Sequence, residues 1–327
     1  MKVTLSITLS LFVTTLLAQA YSDRYEAVGE DPHTLSDFNL HGAVKSVSTK
    51  QYKSDENGEL VLDEYAATTV QEFSKTGKLL STLILKNNGD TLSYVSYAYD
   101  KADNLNQKTG EYGWKTNYTY GDSGITSAIK KVKETVYERH YKYDEQGRLI
   151  SDKYSYMGSP EFEDIYTYEG KTDQIKKCEL KRFDTEPFDF SAVAKYEYHP
   201  NGAVKSFQKI MNVDEYAFRG YTQFFDEHGN MTEAIGGDSI NKKSFDHIHQ
   251  TFDELNNIVS KKAYHIYTGE GDAKEHTTHT YTYDKKDNWT EKISNIAYQY
   301  SIEGHVLTEP EEVVEKKEKQ TRVITYY

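Results

Sequence analysis

Along most of the chain polar and apolar positions alternate with a period of two, and aromatic residues mark the apolar phase. Tyr-x-Tyr pairs recur at Tyr97/Tyr99, Tyr118/Tyr120, Tyr141/Tyr143, Tyr154/Tyr156, Tyr166/Tyr168, Tyr196/Tyr198, Tyr281/Tyr283 and Tyr298/Tyr300. A spacing of two sets both rings on one face of a strand. Each aromatic run ends in a polar tetrad and resumes with an apolar residue. The clearest copy is Tyr141-Lys142-Tyr143-Asp144-Glu145-Gln146-Gly147-Arg148-Leu149. An Asp that opens a turn can accept the backbone N–H groups ahead of it, and Gly tolerates the positive φ that follows. The unit therefore reads as strand, tight turn, return strand. A looser turn such as Asn87-Asn88-Gly89-Asp90 or Gly269-Glu270-Gly271-Asp272 closes it.

Aligning on the aromatic before the turn gives anchors at Phe38, Phe73, Tyr99, Tyr120, Tyr143, Tyr168, Tyr198, Phe225, Phe252, Tyr283 and Tyr300, spaced 17 to 35 residues apart. Variable spacing around a fixed anchor places the length differences in one loop per unit. Four positions beyond the anchor stand Gly42, Gly77, Gly124, Gly147, Gly202, Gly229 and Gly304, or else Asp103, Asn256 and Asp287. Asp and Asn tolerate left-handed φ best after glycine. Thr172 alone departs, in a unit that looks slipped by one residue. The structural turn residues are thus Gly42, Gly77, Asp100, Asp144, Gly147, Gly202, Asp226, Gly229 and Asp284. No segment keeps a helical period; Glu311–Lys319 fits a charged helix or a hairpin tip equally.

Tyr143-Asp144-Glu145-Gln146-Gly147-Arg148-Leu149 resembles the repeat of the YD, or RHS, family, and Phe225–Met231 and Tyr283–Trp289 resemble weaker copies. The resemblance implies a spiralling sheet of β-hairpins. Some members of that family close such sheets into a shell around a toxin; others are adhesion or surface proteins. The present chain ends in Arg322-Val323-Ile324-Thr325-Tyr326-Tyr327, without an aspartate-rich cleavage segment or a further domain, so the toxin role is not carried over. The expected fold is all-β: an elongated, curved or spiralling antiparallel sheet of about eleven consecutive hairpins over residues 38–327. A β-propeller would want about 40–50 residues per unit. An outer-membrane barrel would want an apolar outward band, which Lys130-Lys131-Val132-Lys133 and Lys176-Lys177 interrupt.

Composition refines this picture in three places. With 29 Tyr and 13 Phe the chain favours pleated, half-buried surface over helix or disorder. The net charge of −13 disfavours nucleic acid and anionic lipid as partners. Met1–Ala20 has the form of a signal peptide, with Lys2, an apolar run to Leu17 and Ala18-Gln19-Ala20 at the cleavage point; residues 21–37 form a lead-in. Cleavage removes one base, so the mature charge is 38 − 52 = −14. Cys178 is the single cysteine, so no internal disulfide can form. An exported protein, periplasmic, surface-bound or secreted, is expected, with no transmembrane segment in the mature chain.

Candidate chemistry is sparse. Gly121-Asp122-Ser123-Gly124 is similar to the nucleophile segment of chymotrypsin-like proteases, but it falls on a repeat turn and only His33 and His41 precede it. His247 and His249 share a strand face, and His265, His276 and His279 follow, with His276 and His279 placed near a hairpin tip; a zinc site wants three or four ligands and none completes the set. The Asp turns each offer too few oxygens for calcium. No catalytic residue, cofactor or metal is expected. The expected role is a non-catalytic binding or scaffold module of the bacterial envelope, with a protein or glycan as partner. Tyr154 and Tyr156 are the candidate contacts if exposed tyrosines stack on sugars. A hydrolase is the remaining alternative.

Overall fold

A computed structural model describes residues 34–64, 67–183, 191–213, 217–237, 244–267, 271–301 and 313–327. The leader, residues 21–33 and the turn at Gly304 lie outside them. Among the described residues the protein is all-β apart from two short 3-10 turns, and no helix is long and apolar enough to cross a membrane.

The 21 strands form a single antiparallel sheet in which chain neighbours are sheet neighbours. Leu60–Leu62 only extends the end of Val44–Ser54, so 21 − 1 = 20 strands make up the main circuit. That circuit is closed. Val44–Ser54 pairs with Thr68–Phe73 on one side and with the last strand, Val313–Tyr326, on the other, in a register from Val44↔Tyr326 to Lys53↔Glu318. The molecule is therefore a 20-stranded antiparallel barrel, not the elongated, curved or spiralling sheet of about eleven consecutive hairpins expected from the repeats. Each strand pair adds right-handed twist, so a long meander coils. Here the coil returns the last strand to the first, and closure pairs the N–H and C=O groups that an open sheet leaves at its edges.

Two local expectations also change. Phe38 lies in the 3-10 turn Ser36–Phe38 rather than in a hairpin. The segment around Glu311–Lys319 is strand from Val313 onward.

Most of the tight turns share one geometry; the Tyr120 turn is one residue shorter, pairing Tyr120 with Ile125 and holding Gly124 at φ +135°. Across the common form the anchor aromatic pairs with the returning apolar residue, as in Phe73↔Leu79, Tyr99↔Leu105, Tyr143↔Leu149, Phe225↔Met231 and Tyr283↔Trp289. Gly42, Gly77, Gly147, Gly202 and Gly229 have φ between +78° and +90°, and Asp103, Asn256 and Asp287 have φ of +61° to +64°. Within the turn Asp144 Oδ1 accepts the N–H groups of Gln146 and Arg148, and Asp100, Asp226 and Asp284 accept the equivalent pairs. The Thr172 turn is one residue longer: Tyr168 pairs with Ile175, and Gly170 takes the positive φ instead.

Tyrosine hydroxyls then tie each unit to the one before. Tyr99 donates to the Leu79 carbonyl, Tyr120 to Leu105, Tyr143 to Ile125, Tyr168 to Leu149 and Tyr198 to Ile175, over 2.7 to 3.0 Å. The last tyrosines use the same device at the seam. Tyr326 donates to Asp284, and Tyr327 donates to the carbonyl of Phe73.

The seam also carries an apolar core of Leu40, Val44, Val47, Phe73 and Leu79, against which Leu35, Phe38, Tyr97, Ile324 and Tyr326 pack. Burying each such side chain is worth roughly 1.5–3 kcal/mol. Residues 34–41 lie across this turn-bearing end. Leu35 N–H donates to Gly77 at 3.1 Å, Asn39 Nδ2 donates to Leu255 at 2.8 Å, and Asn288 Nδ2 donates to His41 at 2.9 Å.

Candidate functional site

In a closed antiparallel sheet, side chains alternate between inner and outer wall. Burial identifies the inner one. Ala128, Arg139, Asp152, Asp164, Cys178, Ala194 and Lys209 are all buried, and the strand register links them on the face that carries Tyr141, Tyr166 and Tyr196. The opposite face presents Glu138, His140, Lys177, Glu179, Lys195 and Glu197. Lys177 and Glu179 are 39% and 48% exposed. A lipid-facing wall would carry a continuous apolar band; on these strands the outer wall interleaves charged residues with Ile165, Val193 and Ile210.

Two groups of buried charge stand on the inner wall. In the first, an Arg139 guanidinium nitrogen lies 3.5 Å from Asp152, with both side chains over nine-tenths buried. Desolvation works against the Arg139 charge, but Asp152, Tyr141 and Asp164 outweigh it and hold its pKa above the ordinary value. Asp152 is register partner to both Tyr141 and Asp164. Desolvation raises the Asp164 pKa, opposed by Lys209 and Arg139. Desolvation lowers that of Lys209, opposed by Asp164. Both members of this pair thus shift toward their neutral forms, burial outweighing attraction. Small residues make room here: Lys209 pairs with Ala194, which pairs with Cys178. Burial and Asp164 push the Cys178 thiol up to about 12, so it stays protonated near neutral pH.

The second group is Arg322, Lys292 and His279. Arg322 stacks its guanidinium on Trp289, 3.5 Å from the ring centroid, and its Nε and Nη1 are buried without a hydrogen-bond partner. Burial lowers its pKa to about 10, opposed by Tyr281. Lys292, register partner of Tyr281, is lowered by burial and by Arg322, with Glu318 opposing. Burial, Lys292 and Lys261 bring His279 down to about 4, with Glu275 opposing. Its Nδ1 lies 2.9 Å from Ser294 Oγ. Of the carboxylates acting here, Glu275 is held by Lys261 and Thr277, and Glu318 is exposed. With His279 neutral near pH 7, the two cations Arg322 and Lys292 are left with Glu318, the acid acting on Lys292.

A third feature of this wall is a cleft of about 460 Å³ lined by Tyr196, Val204, Phe207, Gln223, Phe225 and Gly229. Its rings pack edge to face, Tyr196 and Phe207 at 5.0 Å.

Of the residues singled out in the sequence, His279 belongs to the second group, and Tyr154 and Tyr156 share the inner face with Asp152, Tyr154 directly across from Arg139; the others fall elsewhere. Tyr154 stacks on Phe162 at 4.8 Å, and Tyr156, 41% exposed, packs against Tyr137. Ser123 stands at the tip of the hairpin that Gly121↔Gly124 closes, and among the described residues it has no hydrogen bond to a histidine. His276 and His279 lie within the strand Gly271–Tyr283 on opposite faces rather than at a hairpin tip. The side chain of His265 lies outside the described residues. Arg139, Asp152, Asp164, Lys209 and Arg322 were not expected as site residues. A signal was available: Arg139, Asp164 and His279 each stand two residues before a Tyr-x-Tyr pair, in phase with its rings.

No family model and no curated protein matches the chain. Among solved structures it is similar to the TcdB2-TccC3 complex, at 10% identity and a TM-score of 0.43, over 81% of this chain and 14% of that one. It is also similar to a porin-like protein from Bacteroides uniformis, at 13% identity and a TM-score of 0.35, over 90% of this chain and 98% of that one. The chain spans about a seventh of the TcdB2-TccC3 chain it matches, and neither score establishes a common fold.

Proposed function

We propose that this protein is a non-catalytic binding barrel of the bacterial envelope that takes an acidic ligand group, carboxylate or phosphate, on its inner wall at Arg322. The envelope placement rests on the leader-like Met1–Ala20. The observation that carries the reading is the pair of buried Arg322 nitrogens without an acceptor, beside Lys292 and His279. A buried donor without a partner costs about 1–3 kcal/mol, more for a charged group, and a guanidinium fork matches an oxyanion. Trp289 fixes the plane of that fork and excludes water from one side.

Calorimetric titration with glucuronate, inorganic phosphate and a neutral glucose oligomer tests the reading. The expected result is binding of one or both acids, weakened at least tenfold in Arg322→Met. Equal acid affinity in wild type and variant would overturn it. Binding of the neutral sugar alone, abolished by Phe207→Ala, would instead move the ligand to the aromatic cleft.

A further inference from the structure

The outer wall carries a feature that the inner-wall reading does not use. Glu233 lies on the strand Met231–Gly237, and His247 and His249 lie on its neighbour Ser244–Phe252. The register pairs Glu233 directly with His249 and sets Ile235 opposite His247, so Glu233 sees one histidine straight across and the other on the diagonal. Directly opposed residues have Cβ atoms about 4.5–5.5 Å apart, and diagonal ones remain within reach of long side chains. Residues 247 and 249 are two apart on one strand and share its face.

The side chains converge as that backbone allows. His247 Nε2 lies 2.7 Å from Glu233 Oε1, and His249 Nε2 lies 3.8 Å from the same oxygen. The imidazole rings stand 4.1 Å apart at 52°. One ligand atom from each of the three residues falls within 4.8 Å of the others. Metal–ligand lengths near 2.0–2.2 Å at a tetrahedral angle require donor atoms about 3.4 Å apart, and the two histidine–carboxylate distances bracket that separation. The three side chains are 29%, 31% and 45% exposed, so an ion can reach them and keep a water in the fourth position.

We infer that Glu233, His247 and His249 form a zinc site of two imidazoles and one carboxylate on the outer wall, with an open fourth position. Two imidazoles and a carboxylate suit Zn²⁺ and exclude the all-oxygen preference of Mg²⁺ and Ca²⁺. The two strands are rigid parts of a closed sheet, so the donors need only side-chain rotation to meet an ion. One neighbour opposes the site: Lys262 stands across from His249 on the next strand and adds a positive charge beside the incoming cation.

The test uses the mature chain stripped with a chelator and titrated with Zn²⁺ by calorimetry. One Zn²⁺ per chain is expected, at least tenfold weaker in His247→Ala and in Glu233→Gln and absent in the His247→Ala/His249→Ala double variant. Lys262→Ala should tighten it. X-ray absorption of the zinc-loaded chain should show two imidazoles and one carboxylate. All the altered side chains are partly or largely exposed, and unchanged circular dichroism confirms that the variants remain folded. No zinc binding to the wild type, or unchanged binding in the double variant, would overturn the site. Neither result bears on Arg322, which lies on the other wall.

Discussion

The same inner wall buries positive charge in two places, and the two are built in opposite ways. At the first, Arg139 and Lys209 face Asp152 and Asp164, so each cation has an acid acting on it. At the second, Arg322, Lys292 and His279 stand together, and their pKa values are all lowered. Burial disfavours every one of these charges; what differs is whether the fold supplies the opposite charge itself. A self-neutralised cluster is a component of structure, whereas a cluster short of acids has electrostatic capacity left for a ligand.

The largest expected effect tests the first half of that contrast. Arg139→Ala leaves Asp152 and Asp164 buried without their guanidinium. Removing one partner of a buried ion pair costs about 3–5 kcal/mol. Urea unfolding should show a loss of that size. A loss below about 1 kcal/mol would mean that the carboxyls are already neutral or hydrated, and that the cluster is not held together by charge.

Much of this barrel is legible along the chain, but the deciding features are not. The turn at Asp144–Gly147 is local: one side chain satisfies two N–H groups within four residues, so its signature survives in sequence. Closure rests on Val44↔Tyr326 and on the contact of Tyr327 with Phe73, pairings between chain ends that no local motif encodes. The inner wall is half legible. Arg139 and Asp164 fall in phase with the tyrosines, yet nothing in the sequence says that this phase faces inward. His247 and His249 were visible as a pair, but Glu233 joins them only through the register of the neighbouring strand.

The second effect is smaller and opposite in sign. Arg322→Met removes a buried cation from among like charges and keeps an apolar contact with Trp289. Replacing buried ionic groups by apolar ones is often neutral or stabilising, and here a gain of about 1 kcal/mol is expected in the absence of ligand. Urea midpoints of the stripped protein check it. Destabilisation comparable to Arg139→Ala would show that Arg322 has a structural acceptor and would erase the difference between the clusters.

The smallest effect separates the clusters by pH. His279 has a folded pKa of about 4 against an ordinary 6.5, so the unfolded chain binds the extra proton between those values. Its contribution is therefore intact above about pH 6.5 and is lost as the pH falls toward 4. The side chain is half buried, so solvent screening reduces the full shift to about 1 kcal/mol. Asp164 has the opposite sign. Its folded pKa is raised above 3.8, so acid relieves the strain of its burial instead of adding to it. Unfolding free energies at pH 7 and pH 4.5 should show the wild type losing about 1 kcal/mol more than His279→Gln, which keeps a side-chain amide for Ser294. Asp164→Asn should not reproduce that difference. If both variants respond alike, titration on this wall is collective, and the contrast between a neutralised and an open cluster fails.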